Sequence, residues 1–492
     1  MAVLENLEPK NVFHFFEKIC NIPHPSYKEK QISDFLVNFA KERSLEYYQD
    51  SLYNVIIIKE ATPGYEEVAP IILQGHMDMV CEKEANCNKD MDKEGLDLEV
   101  NGDFISAKGT TLGGDDGIAV AYALAVLDSN ELQHPRLEFV CTVSEEVGME
   151  GATGIDVSML KGKKLLNMDS ENEGRMLVSC AGGCSAQVNL PVQREKATGA
   201  KLTIRVDGLV GGHSGVEIDK GRANANMLMA RTLREIQALV PFSLITLEGG
   251  SKDNAIPRDA TATIMITDAQ AMSAAASVDQ AMQIIAAQIT TTAANVRAEY
   301  ASADPDINIT ITNDGKTKAE VVTVASTKGI ISMMLSIPNG IQRMSRDIEG
   351  LVETSLNLGI CSLDAEALHL RYAVRSSVGT AKDDLVGQMT FVAQMQGGSI
   401  VLNGNYPAWE YTRESTMRED MIRIFTEMFG HEPIMEAIHA GVECGILSGK
   451  IEGLDCVSMG PDIIDIHTPS EKLSISSTKR MYDYVVNILS CK

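Results

Sequence analysis

Five short segments carry the side-chain types that bind divalent metal ions. Each follows an apolar run or lies in a tight loop: GHMDM (His76), GGDDG (Asp115), SEEVG (Glu146), NMDSE (Asp169) and DIHTP (His467). Imidazole nitrogen and carboxylate oxygen are the ligands that zinc-like metals prefer. Two such ions about 3.5–4 Å apart can activate a water and hold the oxyanion in amide hydrolysis. The segments therefore indicate a two-metal hydrolytic site.

Each segment alone also has an ordinary structural interpretation. A histidine after an apolar strand is commonly hydrogen-bonded within the core, and GGDDG is typical of a turn that caps a helix. The specific signal is the order and spacing of the five together. His76 and Asp78 add a further relation, because residues two apart on an extended segment share a face. Asp78 is thus predicted to accept the second N–H of the His76 ring and to orient it.

The elements around these residues alternate between strand and helix. Apolar runs predict strands at 54–60, 70–76 and 136–146, and helices at 12–20, 29–43 and 116–128. Continuous apolar strands separated by helices favour an α/β fold with a mainly parallel sheet. In such sheets functional residues gather at the carboxyl ends of strands, where His76, Glu145, Glu146 and Asp169 fall.

The pattern of predicted strands and helices changes near Cys184. Two successive series of strand, helix and paired strands predict an inserted, duplicated α/β sandwich at 185–396, with a long helix at 268–299. The α/β pattern is predicted to return with SIVLNG (399–404). We therefore expect a discontinuous catalytic domain, 1–184 plus 397–492, and an inserted lid and dimerisation domain between its two parts.

Composition excludes several classes of function. The formal net charge is −25 and the pI is near 4.8, without the basic run that nucleic acid or anionic lipid requires. No apolar stretch approaches the roughly 18 residues of a membrane helix, and the N-terminus lacks the features of a secretion signal. The ten cysteines form no CxxC pair. These features predict a cytoplasmic globular protein.

The motifs resemble those of aminoacyl-histidine dipeptidases, in the carnosinase, peptidase T and aminoacylase group of metallopeptidases. The resemblance runs in order through nearly the whole chain: GHMDMV, TTLGGDDGIAVA, TVSEEVGMEGA, LNMDSE, GGHSGVEIDKGRANA, GGSKDNAIPR, VETSLNLG and DIHTPSE. It implies that Asp115 bridges two metals, with His76 and Asp169 completing one site and Glu146 and His467 the other. It further implies that Glu145 is the general base and that the Asp115–Asp116 peptide is cis.

The same resemblance assigns roles within the insert. His213, in GGHSG, is expected to stabilise the oxyanion, from its own subunit or across a dimer. Arg375 is expected to bind the substrate carboxylate with an asparagine, either Asn254 or Asn357. Outside the insert, the segment HAGVECG adds two further candidate substrate-binding residues, His439 and Glu443. An acid there could bind the substrate's α-ammonium, and an ordinary structural role is the alternative.

We therefore predict a di-metal dipeptidase for Xaa-His, carnosine-like and other unblocked dipeptides. The expected cofactors are two divalent ions, Zn²⁺ first, with Co²⁺ or Mn²⁺ as alternatives. The only predicted partners are the dipeptide and a second copy of the chain, in a homodimer formed through the lid. Two alternatives remain: an N-acyl amino acid deacylase with the same metal ligands, and a catalytically inactive binding homologue.

Overall fold

The computed structural model describes residues 3–492. Its helices are α1 Lys10–Cys20, α2 Lys30–Glu42, α3 Gly114–Asp128, α4 Glu145–Gly148, α5 Glu150–Gly154, α6 Ala225–Gln237, α7 Asp268–Met272, α8 Val278–Glu299, α9 Val324–Ser336, α10 Gly379–Met395, α11 Thr416–Phe429, α12 Glu443–Lys450 and α13 Ile475–Ser490. Its strands are β1 Glu46–Gln49, β2 Val55–Lys59, β3 Ile71–His76, β4 Leu98–Asn101, β5 Phe104–Ala107, β6 Leu137–Thr142, β7 Lys164–Asn167, β8 Arg175–Cys180, β9 Gly182–Pro191, β10 Arg194–Asp207, β11 Gly212–His213, β12 Ser243–Gly249, β13 Ala255–Ile256, β14 Ala260–Thr267, β15 Asn308–Val322, β16 Gly340–Met344, β17 Val352–Leu363, β18 Ala367–Ser376, β19 Ser399–Tyr406, β20 Ile434–Ile438, β21 Asp455–Ser458, β22 Ile463–Ile464 and β23 Lys472–Ser474. Within residues 3–492, no helix combines the length and apolarity needed to cross a bilayer.

The chain folds into two compact units. The first contains residues 3–180 together with Tyr411–Ala437 and Val442–Lys492. The second contains Ala181–Glu410 and the short segment Ile438–Gly441.

The first unit is built on an eight-stranded sheet in the order β1-β2-β6-β3-β7-β21-β8-β20. Its centre is parallel, because β3 pairs in parallel with β6 and β7, and β7 pairs in parallel with β21. Antiparallel β1 and β2 extend one side of the sheet. All six residues of β3 are buried, and α3 packs between β3 and α1. This arrangement confirms the predicted α/β class, with a mixed sheet that is parallel at its centre and antiparallel toward its sides.

The second unit contains a nine-stranded sheet whose main path is β15-β10-β14-β12-β17-β18-β9-β19. Its neighbouring strands are antiparallel, and its core takes apolar side chains from both sheet and helices. Helices α6, α8, α9 and α10 all contribute to that core. Strands β12 and β17 join two four-stranded sets, each accompanied by helices. The proposed internal duplication stays a prediction.

Three expectations from the sequence differ from the structure. The predicted boundary at residue 397 is wrong, because β19 pairs with β9 and so belongs to the second unit. The single helix predicted at 268–299 is two helices, α7 and α8, each capped by a side-chain hydroxyl. The strand predicted at 136–146 ends at Thr142, because Ser144 has a positive φ of 54° and turns the chain into α4.

Candidate metal centre

The centre begins where β3 ends. His76 is the last residue of this strand and is buried, with its backbone N–H donating to Asp116 Oδ2 at 3.1 Å. A glycine must precede it, since a Cβ at Gly75 would lie 2.5 Å from Asp116 Oδ2 and 2.7 Å from the Ala119 Cβ. The missing side chain lets α3 approach the strand closely enough for Asp116 to hold the His76 backbone.

Asp115 lies at the start of α3 and contacts two histidines at once. Its Oδ1 is 3.1 Å from His76 Nε2, and its Oδ2 is 3.1 Å from His467 Nε2. Gly113, two residues before Asp115, has φ +67°, the left-handed conformation that glycine adopts without strain. The Asp115–Asp116 peptide is cis, which confirms that prediction. One carboxylate is therefore shared between two imidazoles.

Two further acids complete the cluster. Glu146 Oε1 lies 2.9 Å from His467 Nε2, and Asp169 Oδ1 lies 3.7 Å from His76 Nε2. His76, Asp115 and Glu146 form one group whose potential ligand atoms lie within 4.8 Å of one another. A second such group contains His76, Asp116 and Asp169, so His76 belongs to both. The structure thus brings all five sequence-predicted ligands into one site of the first unit.

Glu145 lies beside this cluster on the helical turn α4. The sequence placed Glu145 at the end of a strand, but it lies in a helical turn. The side chains of Glu145 and Glu146 therefore follow the helical spacing of successive residues and do not alternate between two faces as on a strand. The Glu145 carboxylate makes no hydrogen bond within residues 3–492. Burial, with the nearby charges of Glu443 and Glu146, raises the pKa of Glu145 to about 8.

Asp78 connects the two sides of the site. His76 Nδ1 donates to the Asp78 backbone carbonyl at 3.0 Å and lies 3.4 Å from Asp78 Oδ1. The Asp78 carboxylate also accepts the backbone N–H of Glu145 at 3.0 Å and of Glu146 at 3.3 Å, and the Ser26 hydroxyl at 2.7 Å. Asp78 therefore orients the His76 ring, chiefly through its backbone, and holds α4 against β3.

Electrostatics in the cluster favour cations. Burial lowers the pKa of His76, but Asp115 and Asp78 raise it well above its ordinary value. Asp115 and Glu146 likewise raise the pKa of His467 to about 10. Burial and neighbouring acids raise the pKa of Asp169 well above its ordinary value. These pKa shifts show that the crowded carboxylates create a strong negative potential, which a pair of divalent ions would balance. The nitrogen and oxygen donors of the cluster also suit such ions.

Glu443 lies beneath the cluster in a polar network that the sequence did not indicate. Its Oε2 accepts from Gln74 Nε2 at 2.5 Å and from the Thr142 hydroxyl at 2.6 Å, and Gln74 in turn accepts from Asn167. Its Oε1 is buried without a hydrogen-bond partner, and burial raises the pKa of Glu443 to about 7. A direct role in binding the substrate ammonium stays a prediction.

His213 lies in the second unit, where β11 pairs with β13. Its Nδ1 accepts the backbone N–H groups of Gly215 and Val216, both at 3.2 Å. Burial and the positive charge of Arg375 lower the pKa of His213. A neutral ring that accepts at Nδ1 carries its proton on Nε2, and Nε2 makes no hydrogen bond within residues 3–492. The Nε2–H of His213 is therefore a hydrogen-bond donor available to a ligand.

Arg375 also has donors to spare. Its Nη1 donates to the Tyr406 hydroxyl at 3.1 Å, and its buried Nε has no partner. Among the described residues, no carboxylate lies within ion-pair distance of this guanidinium. An arginine without an acid partner is suited to an anionic ligand.

The two candidate asparagines differ in how far their amides are used. Asn357 is buried, donates to the carbonyls of Asp253 and Ala255, and accepts from Asn224. Asn254 is exposed, and its side chain makes no hydrogen bond within residues 3–492. Asn357 therefore shapes the loop that carries Asn254 and has no amide hydrogen left for a ligand.

His439 belongs to the second unit, although the sequence placed it in the catalytic domain with Glu443. Its Nε2 lies 2.7 Å from the Ser355 hydroxyl. Burial, Arg375 and His213 lower the pKa of His439 to about 3. It is consequently a neutral, hydrogen-bonded residue beside Arg375. A role for His439 in substrate binding stays a prediction.

Comparison with known proteins identifies relatives over the whole length. The chain is 34% identical to the cytosol non-specific dipeptidase of Escherichia coli (strain K12), with 99% of each protein covered. The crystal structure of aminoacylhistidine dipeptidase from Vibrio alginolyticus matches with a TM-score of 0.87 at 34% identity, over 99% of this chain and 97% of that one. The aminopeptidase PepT of Bacillus cereus, 17% identical over 98% of both chains, has a TM-score of 0.55 and shows the fold alone.

A family model matches one segment of the chain. The peptidase dimerisation domain of the M20 peptidases matches residues 204–297, which lie in the second unit. The similarity to dipeptidases over the full length is consistent with the cluster of carboxylates and imidazoles in the first unit. The chain belongs to the M20 family of metallopeptidases, in the group of the cytosol non-specific and aminoacylhistidine dipeptidases.

Proposed function

We propose that this protein is a two-metal dipeptidase that hydrolyses unblocked dipeptides, including Xaa-His dipeptides such as carnosine. The observation that carries the proposal is the Asp115 carboxylate, whose two oxygens each face a different histidine. Asp115 would bridge the two ions, with His76 and Asp169 on one and Glu146 and His467 on the other. Zn²⁺ is the ion we propose, with Co²⁺ or Mn²⁺ as substitutes.

The reaction divides between the ions and the protein. When bound, a pair of divalent ions supplies an activated water and Lewis-acid stabilisation of the oxyanion. Glu145 takes the proton of the attacking water and delivers it to the leaving amine. Its freedom from other hydrogen bonds suits this task, because the carboxylate must be able to take the proton from the water and pass it on.

Substrate recognition falls to the second unit. Arg375, with no acid partner, would bind the dipeptide carboxylate through charge-assisted hydrogen bonds. Asn254, whose amide is uncommitted, would assist it. His213 would donate its Nε2–H to the oxyanion. We further propose that the protein is cytoplasmic and that this unit, which contains the dimerisation domain, forms a homodimer and acts as the lid.

The direct test is metal analysis followed by assays on three substrate classes. We expect about two divalent ions per chain and hydrolysis of carnosine and other unblocked dipeptides. Faster turnover of N-acetylated amino acids would assign the protein as a deacylase. Two tightly bound ions without hydrolysis of either class would indicate an inactive binding homologue.

Replacing His213 by alanine is expected to lower kcat while leaving metal content unchanged. The lost Nε2–H donor would act mainly in the transition state, where one such donor is worth about 10²–10³-fold in kcat. Steady-state kinetics and metal analysis of the same sample measure both quantities. His369→Ala is the control, because that histidine lies in the same unit and bonds to Asn189 and Asp364. A normal kcat in the His213 variant would contradict this role.

The two asparagines give opposite expectations. Asn254→Ala should raise KM for dipeptides without changing Tm, since its side chain supports nothing in the fold. Asn357→Ala should lower Tm, because it removes two hydrogen bonds to the part-buried carbonyls of Asp253 and Ala255, each worth about 0.5–1.5 kcal/mol. Thermal unfolding and kinetics on both variants check this. A raised KM confined to the Asn357 variant would reverse the assignment.

A further inference from the structure

Glu471 is a buried acid of the first unit with an unusual set of donors. It is 2% exposed and lies four residues after His467. Its Oε2 accepts the backbone N–H of Leu112 at 2.8 Å and of Gly113 at 3.1 Å. Its Oε1 accepts the backbone N–H of Gly114 at 2.8 Å and of Asp115 at 3.4 Å. One carboxylate therefore receives four consecutive backbone donors of the segment that presents Asp115.

Those donors have no local acceptor. Helix α3 begins at Gly114, and its N-cap residue Gly113 has no side chain with which to cap the first turn. Serine, threonine, asparagine and aspartate are preferred at the N-cap because their side chains supply that acceptor. Here a carboxylate more than 350 residues away in sequence replaces it. The capping group consequently belongs to a different segment of the metal centre.

Glycine makes this approach possible. A Cβ at Gly114 would lie 3.2 Å from Glu471 Oε1, tighter than most van der Waals contacts allow. A Cβ at Gly113 would lie 2.9 Å from the Met79 sulfur. The two glycines of GGDDG thus leave space for Glu471 on one side and for the segment after β3 on the other.

Glu471 is also fixed within its own turn. Its backbone N–H donates to the Thr468 carbonyl at 3.1 Å, next to His467, which has a positive φ of 60°. The following strand, β23, pairs with β5. The carboxylate therefore ties the turn that carries His467 to the segment that carries Asp115. The side chains of Asp115 and His467 are themselves in contact, with 3.1 Å between Asp115 Oδ2 and His467 Nε2.

We propose that Glu471 is a positioning residue of the metal centre, which sets the spacing between the bridging carboxylate of Asp115 and the imidazole of His467. The inference rests on the proposed two-metal site and extends it to a residue outside the five proposed ligands. Because Asp115 serves both ions, loss of the connection should weaken both. Partners that hold metal ligands in place typically contribute about 10–100-fold in metal affinity.

The test is metal binding to apo Glu471→Gln and Glu471→Asp. The glutamine keeps the side-chain shape but turns one acceptor into a donor that faces two N–H groups, and the aspartate keeps the charge at shorter reach. Zn²⁺ affinity is measured by competition with a chromophoric chelator, and the Co²⁺ absorption spectrum reports ligand geometry. We expect a 10–100-fold loss of Zn²⁺ affinity and altered Co²⁺ bands in the glutamine variant, with partial recovery in the aspartate variant.

Glu138→Gln is the matched control. Glu138 is a fully buried acid of the same unit that accepts the backbone N–H groups of Lys161 and Gly162 and the Arg136 Nε. It lies near the amino end of β6, whereas the metal centre lies at the carboxyl ends of the strands. Its substitution should lower the Tm of the apo protein while leaving Zn²⁺ affinity and the Co²⁺ spectrum unchanged.

Each outcome decides between positioning and general stability. Wild-type Zn²⁺ affinity and Co²⁺ bands in the Glu471 variants would overturn the proposal. So would equal losses of affinity in the Glu138 control, or failure of both Glu471 variants to fold without metal. Asp115→Ala tests the centre itself. If that variant keeps its metals, the proposed function fails, but if it loses them and Glu471→Gln does not, only the positioning role is lost.

Discussion

Replacing Asp115 by alanine is expected to abolish most activity and to reduce metal content at the same time. The two oxygens of this carboxylate face His76 and His467 separately, so its removal takes away both contacts at once. Loss of several kcal/mol of transition-state stabilisation corresponds to about 10³-fold or more in kcat/KM. Elemental analysis after dialysis and dipeptide hydrolysis measure the two effects on one preparation.

The control for this variant is Asp156→Ala. Asp156 is exposed, lies in the same unit, and caps a surface turn through the Ser158 backbone N–H. Its loss should leave activity and metal content unchanged. If Asp115→Ala retained two tightly bound metals and near-normal turnover, the assignment of the five ligands would be wrong.

The central part of this site could be predicted because its residues follow strands with a clear signal. β3 is a continuous apolar run, so the position of His76 at its carboxyl end follows from the sequence alone. Asp169, two residues after β7, follows from the same rule. The rule was less exact for Glu145 and Glu146. A positive φ at Ser144 moves them from a strand onto a helical turn, and a serine gives little warning of that conformation.

The residues that were missed act through contacts distant in sequence. Asp116 holds the His76 backbone, and Glu471 accepts four N–H groups near Asp115. Neither contact produces a periodic pattern, and both involve backbone atoms, which carry no sequence signal. The acidic pair in GGDDG and the acid after HTP could have been noted as candidates. Their partners could be recognised only from the fold.

The second unit was predicted less completely for a related reason. Strand β15 carries a polar, largely exposed pattern, so its pairing with β10 could not be distinguished from a loop. The first residues of strand β19 resemble the buried strands of an α/β sheet. The strand instead lies at the edge of the second sheet, where it pairs with a neighbour on one side. Strand pairing depends on which edge is available, and local sequence does not specify that.

Glu145→Gln should separate proton transfer from metal binding. The amide keeps the shape of the side chain and the backbone N–H that donates to Asp78, but it cannot accept a proton from water. Loss of a general base typically costs about 10²–10⁴-fold in kcat. We therefore expect turnover to fall by that factor while both metals remain, as measured by single-turnover kinetics and elemental analysis.

The comparison with its neighbours makes this prediction decisive. Glu146→Gln should lose metal, because the Glu146 carboxylate contacts His467 within the cluster, whereas the exposed Glu150→Gln should change neither quantity. Residues 145 and 146 have adjacent backbones and both interact with Asp78, so a general disturbance of α4 would affect both variants alike. Only distinct chemical roles give one variant that keeps its metals without turnover and another that loses both. Loss of metal from Glu145→Gln would make Glu145 a ligand and leave the general base unassigned.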